Sequence, residues 1–131
     1  MSELAKRAAA CKAWKWMAGM LDTGGNRITH RVGGSVTQWW SERLDRVDLW
    51  TDQPEFCFED QGHLPDLDDP ATLGCLLALV REAHGGTIVF VQYHLDQQKP
   101  WSAWRALGTP RHLGKGRTYR EALVAALEAA P

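Results

Sequence analysis

Gly114-Lys115-Gly116-Arg117-Thr118 is the segment of this sequence best suited by residue type to hold an anion. Its glycines let a backbone approach a ligand closely, and they precede a predicted helix whose first amides have no intrahelical acceptor. Lys115, Arg117 and the preceding Arg111 and His112 add positive charge. A phosphate, a nucleotide or a nucleic-acid backbone fits that chemistry. The phosphate-loop spacing GxxxxGK[ST] is absent. The same residues also read as a plain loop, over 108–117, that ends in a capping box of Thr118 and Glu121.

Two further stretches carry binding chemistry. Lys12 and Lys15, interleaved with Trp14 and Trp16, combine cations with stacking surfaces and suit phosphates and bases. They equally suit an acidic protein, or the solvated face of an amphipathic helix. In the acidic run over 42–70, Asp45, Asp48, Asp52, Glu55 and Glu59 alternate with Trp50, Phe56 and Phe58. An acidic aromatic surface can imitate nucleic acid or fill a basic groove on a partner protein, and it can also be a solvated surface over core aromatics.

Other chemistries find less footing. Asp66, Asp68 and Asp69 lack the glycine and glutamate of a calcium loop and read as helix-capping residues. The five histidines are scattered without a zinc-ligand pattern. No catalytic set, metal site or cofactor motif is selected, so the expectation is a protein that is not an enzyme and carries no cofactor.

The composition sets the frame for these segments. The 131 residues fit one domain, with 44% hydrophobic and 24% charged content near the globular norm. Net charge is −1, yet six Lys/Arg face two acids over 1–31, ten acids face two Arg over 42–70, and five Lys/Arg face two acids over 100–131. Seven tryptophans exceed what a small core takes up, so one or two are expected partly exposed, where tryptophan favours binding. Cys11, Cys57 and Cys75 are odd in number and widely spaced, which points to free thiols and a reducing compartment. Lys12 and Lys15 break the N-terminal apolar stretch, which argues against a signal peptide or membrane span and for the cytoplasm.

The elements that must position these residues follow from periodicity. An Ala- and Lys-rich helix is expected from Ser2 to about Gly19, with Leu4, Ala8, Cys11, Trp14 and Met17 on one face. Residues 27–32 and 35–40 read as strands around Gly33-Gly34. Residues 41–52 fit helix or strand, and 55–59 a short strand. Asp69 as cap and Pro70 at the first turn open a helix over 71–84, stopped by Gly85-Gly86. Strands over 87–95 and 101–107 form a hairpin, and a last helix runs to about Ala130. The order predicts a single α+β domain over 1–131, an antiparallel or mixed sheet packed by helices.

Trp16-Met17-Ala18-Gly19-Met20-Leu21, the stretch Pro65-Asp66-Leu67-Asp68-Asp69-Pro70 through Ala83, and Gly116-Arg117-Thr118 with the Glu121-to-Leu127 run resemble the small phage and prophage proteins grouped as phage ABA sandwich domains. Residues 35–62 depart from that pattern. The resemblance implies helix–sheet–helix layers and a phage origin; it carries over no catalytic residue. The expected function is a phage-encoded, non-enzymatic protein that binds and inhibits a host protein of a defence complex, in the manner of an anti-CRISPR. Contact is expected through Asp45, Asp48, Trp50, Asp52, Glu55 and Glu59. The alternatives are a nucleic-acid-binding regulator using Lys12, Lys15, Arg111, Lys115 and Arg117, or a sponge for a phosphorylated nucleotide signal. The oligomeric state is left open, a dimer included.

Overall fold

A computed structural model of the chain describes residues 2–32, 35–41, 46–49, 63–106 and 108–131. Its elements are α1 (Ser2–Ala10), β1 (Asn26–Val32), β2 (Ser35–Ser41), β3 (Arg46–Leu49), α2 (Pro70–Ala83), β4 (Val89–Tyr93), β5 (Trp101–Arg105), β6 (Arg111–Gly116) and α3 (Tyr119–Glu128). The fold is α+β, with helix packed on antiparallel sheet. The chain divides into two compact units, Met1–Trp14 with Leu76–Pro131, and Lys15–Cys75.

In the first unit β4, β5 and β6 form an antiparallel meander in that order. Side chains alternate across a pleated strand, so Val89, Val91, Ala103, Gly114 and Gly116 share one face. α3 lies on that face, burying Ala122, Leu123, Val124, Ala126 and Leu127. The approach is close enough that a Cβ on Gly114 would meet Ala126 N at 2.6 Å, and one on Gly116 would meet Ala122 N at 2.5 Å. Trp101 lies edge-on to Tyr119 at 5.8 Å and to Tyr93 at 5.1 Å. α1 packs on α3, and Arg7 holds Glu128 with two hydrogen bonds of 2.6 and 3.2 Å.

The helix expected to reach Gly19 ends at Ala10. Beyond it Cys11 N donates to Ala8 O and Trp14 N to Cys11 O, which are tight three-residue turns rather than helix. Trp16 is then free to enter the core of the second unit, where it is buried. The loop expected over 108–117 is the other correction, because Arg111–Gly116 is strand β6. The glycines that suggested a loop are there because a helix backbone lies on them.

α2 follows its predicted signals. Asp69 Oδ2 accepts from Thr72 N at 2.9 Å at its start. At its end Gly86 N donates to Arg81 O and Gly85 N to Glu82 O, with Gly85 at φ +84°. That pairing satisfies two terminal carbonyls and needs a residue that tolerates positive φ.

In the second unit β1, β2 and β3 form another antiparallel meander. The uncertain stretch over 41–52 thus contains a strand. The buried Asp22 organises the turn before β1. Its Oδ1 accepts from Gly24 N and Asn26 N at 2.9 and 2.8 Å, and its Oδ2 meets Asn26 Nδ2 at 3.0 Å and His63 Nδ1 at 2.6 Å. Arg27 forms a bidentate pair with Asp69 and also donates to Gly19 O. Thr72 Oγ1 accepts from Leu21 N at 2.9 Å. Met20, Ile28, Pro65 and Leu67 fill the space beneath.

Candidate functional site

The face of β4–β5–β6 opposite α3 is built by register. Phe90 stands across from Trp104, and Trp104 across from His112. The three rings make one row over three strands. Trp104 and His112 meet edge-on, with centroids 5.1 Å apart. An irregularity in the β5–β6 ladder beside Trp104 brings His112 into this row: Ala103 pairs with Gly114 while Trp104 pairs with His112, so Leu113 is the extra residue of a bulge. Lys115, across from Ser102, puts an exposed cation on the same face.

Beside the row, a cleft of about 420 Å³ is lined by His84, Arg105, Arg111 and His112, with Leu113 and Ala129 among its walls. No carboxylate side chain lines it. The α2 end at Ala83–Gly85 and the α3 cap at Ala129 border it, so Arg105 and Arg111 also answer the negative ends of two helix dipoles. His84 Nε2 and Ala126 O lie 2.8 Å apart.

Two donors on β5 have no acceptor: Trp104 Nε1 and Arg105 Nε are both buried without a hydrogen-bond partner. A buried unpaired donor is costly and uncommon, and an acceptor supplied from outside the chain relieves it. Burial holds the His112 imidazole below its ordinary pKa, and the charge of Lys115 pushes it the same way. His112 is therefore mostly neutral at neutral pH and offers ring surface there rather than charge.

The residues singled out from the sequence distribute as follows. Arg111 and Lys115 both stand exposed on β6, Arg111 at the cleft and Lys115 farther along the strand. Arg117 is exposed just past β6, and its backbone N donates to Glu121 Oε2 at 2.7 Å. With Thr118 Oγ1 accepting from Glu121 N, this end of α3 has partners within the chain. Lys12 belongs to the first unit, on the wall of a separate cleft of about 500 Å³ with Arg7, Cys11 and Glu128, and Lys15 belongs to the second unit. The continuous basic helix that would have joined them does not form. Asp48 lies on β3, across from Trp39. Asp45, Trp50, Asp52, Glu55 and Glu59 lie outside the described residues, as does the strand expected over 55–59.

Burial pushes the Cys11 and Cys75 thiols up, in keeping with small apolar side chains rather than nucleophiles. Among the described residues, no three His, Cys, Asp or Glu side chains converge as a metal site would require, and no helix is long and apolar enough to cross a membrane.

The row of rings was not foreseen from sequence. Phe90, Trp104 and His112 each sat in a predicted strand or loop, but their alignment depends on the bulge at Leu113, which has no glycine or proline signal at that position. The pairing of buried Asp22 with half-buried His63 was missed because the partners are 41 positions apart. No family model, curated protein or solved structure matches the chain.

Proposed function

We propose that this chain is a binding protein without chemistry of its own, which docks on a host protein and blocks it, with bacterial antiviral machinery such as a CRISPR effector as the target class. The observation that carries the docking reading is the buried, unpartnered donor Trp104 Nε1 in a row of aromatic rings beside exposed Lys115, with a second unpartnered donor, Arg105 Nε, beside exposed Arg111 at the cleft. Tryptophan and arginine dominate the energetic centres of protein interfaces. Donors and cations without a carboxylate side chain among them suit a partner surface that supplies acceptors, meaning acidic side chains or free carbonyls. The phage origin and the target class rest on the resemblance and on the surplus of tryptophan, and inhibition by occlusion needs no catalytic residue.

A second reading draws on the same face. Rings in a row on a sheet, flanked by Lys115, also suit stacking of unpaired bases beside a phosphate backbone. One set of variants separates the two. The chain is expressed in cells whose CRISPR interference restricts a phage, and plating is scored. Plating is expected to recover by orders of magnitude with the native chain and to fall back with Trp104→Ala or Arg111→Glu. Plating that stays restricted with the native chain rejects defence inhibition. Tight binding of purified chain to single-stranded DNA at low salt, lost in the same variants, transfers the face to the nucleic-acid reading.

A further inference from the structure

The two edges of the β4–β5–β6 sheet are unlike. β6 carries Arg111 and Lys115, and charged side chains are a common protection of an edge strand against pairing. β4 carries no such guard. From Thr87 to Leu95 the sequence is Thr-Ile-Val-Phe-Val-Gln-Tyr-His-Leu, with no Lys, Arg, Asp, Glu, Pro or Gly. The exposed large apolar side chains found among the described residues all fall in this stretch: Ile88 at 66%, Phe90 at 39%, Tyr93 at 51% and Leu95 at 74% exposed. Among the described residues, β5 is the only strand that pairs with β4.

The backbone on the open side is set by the ladder on the other. Ala106 N donates to Ile88 O, and His94 N donates to Pro100 O. Hydrogen-bonding residues alternate along an antiparallel strand, so Ile88, Phe90, Gln92 and His94 bond toward β5. Val89, Val91 and Tyr93 therefore direct their N–H and C=O groups to the open edge.

We infer that β4 is a self-association edge, on which a second copy of this chain adds its own β4 antiparallel about a two-fold axis. The arrangement goes beyond the docking reading above and does not depend on it. An axis at Val91 sets Val91 on Val91 of the second copy and Val89 on Tyr93, residues whose backbone groups all face the gap. About six inter-chain hydrogen bonds result, two for each of three such pairs. On the other face Phe90 meets Gln92, and Ile88 meets His94. No carboxylate, ammonium or guanidinium group meets its like, whereas two β6 edges would set Arg111 and Lys115 against the same cations. This charge match argues for a second copy as the occupant, because an isologous interface must complement itself. The result is a six-stranded sheet with the Phe90–Trp104–His112 row present twice on one continuous surface.

Sedimentation equilibrium on the full chain, with mass read across micromolar to tenth-millimolar concentration, tests this. The expected mass is twice the 14.7 kDa of one chain. Val91→Pro deletes an outward N–H and leaves the β5 ladder intact, since proline is tolerated where an edge N–H faces outward. It is expected to give a monomer with an unchanged circular dichroism spectrum. Gln92→Lys is the second variant, should Val91→Pro not fold, and it is also expected to be monomeric. A native chain that stays monomeric throughout the range overturns the proposal. So does a dimer that persists in both variants, which would place the contact elsewhere. A heterodimer with a target protein that forms only from native monomer would assign the edge to that partner instead.

Discussion

Gly114 and Gly116 let α3 lie directly against β6, while over Lys15–Cys75 the chain is drawn together by a buried carboxylate, Asp22, that accepts from two backbone amides and two side chains. The first region is held by shape and apolar burial and the second by directed polar bonds. Shape complementarity does not titrate, and a carboxylate does. The two regions should therefore fail under different insults.

The largest effect is expected from Gly116→Val. Its Cβ would overlap Ala122 N and the Cβ of Glu121, atoms of a helix backbone and its first side-chain carbon, which cannot swing away. Separating α3 from the sheet would also open the layer that buries Leu123 and Leu127. Overpacking commonly costs about 1–3 kcal/mol, and contact with backbone puts this case at or above the top of that range. Urea unfolding of native and variant chains measures it. A loss under about 1 kcal/mol would mean that α3 can lift without penalty and that the glycines are there for another reason.

Asp22→Ala comes next, at roughly 3 kcal/mol, because it strands several donors around a buried site. The pH dependence gives the sharper contrast. Burial raises the Asp22 carboxyl, but hydrogen bonds from His63 and Asn26 outweigh it and hold the group below the ordinary carboxylate value of 3.8. Arg27, acting before the Thr72 bonds, lowers Asp69 in the same way against the smaller opposing effect of burial. For a depressed carboxylate the stabilisation is present in full above the unfolded-state value and lost as pH falls through the folded-state value. Backbone hydrogen exchange over residues 15–32 and 63–75 should thus accelerate as pH drops below about 4, after correction for intrinsic rates, while β4–β6 and α3 keep their protection. Equal acid sensitivity in both regions would dissolve the distinction. Asp22→Ala should flatten the acid response of its own region.

Legibility in the sequence followed the same division. α2, the β4–β5 hairpin and α3 were readable because their signals are local: Asp69-Pro70, Gly85-Gly86, a β-branched run, and Thr118 with Glu121. Asp22 looked like any turn residue, since its value lies in His63, far along the chain. The misreadings share one cause. Alanine and lysine favour helix locally, yet helix α1 stops at Ala10, and Trp16 is buried in the core of the second unit. Glycines favour loops locally, yet in β6 they answer to α3. The charge layout was plain in the sequence, but the helix expected to carry Lys12 and Lys15 ends at Ala10, and Arg111 joins His84 and Arg105 through contacts that no spacing encodes.

The smallest effect, at the start of α3, compares the two regions through one device. Both α2 and α3 begin on a side-chain cap, but α2 uses a carboxylate, Asp69, and α3 a hydroxyl, Thr118. Thr118 sits in extended conformation and takes the amide of Glu121 at 3.2 Å, while Glu121 reaches back to Arg117 N. Thr118→Ala removes one half of this exchange and leaves the other, and water can reach the freed amide. The cost should be about 1 kcal/mol, the usual value for losing a hydroxyl cap. Thr118→Asp should recover it at neutral pH, because a carboxylate serves the same amide and suits the helix dipole. Below about pH 4 that recovery should fade as the introduced carboxyl takes up its proton, giving α3 the acid sensitivity that α2 already has through Asp69. Chemical unfolding of the three chains at neutral and acid pH measures both steps. A Thr118→Asp chain whose advantage over Thr118→Ala persists unchanged in acid would show that the hydroxyl's place, and not the charge at it, decides how α3 starts.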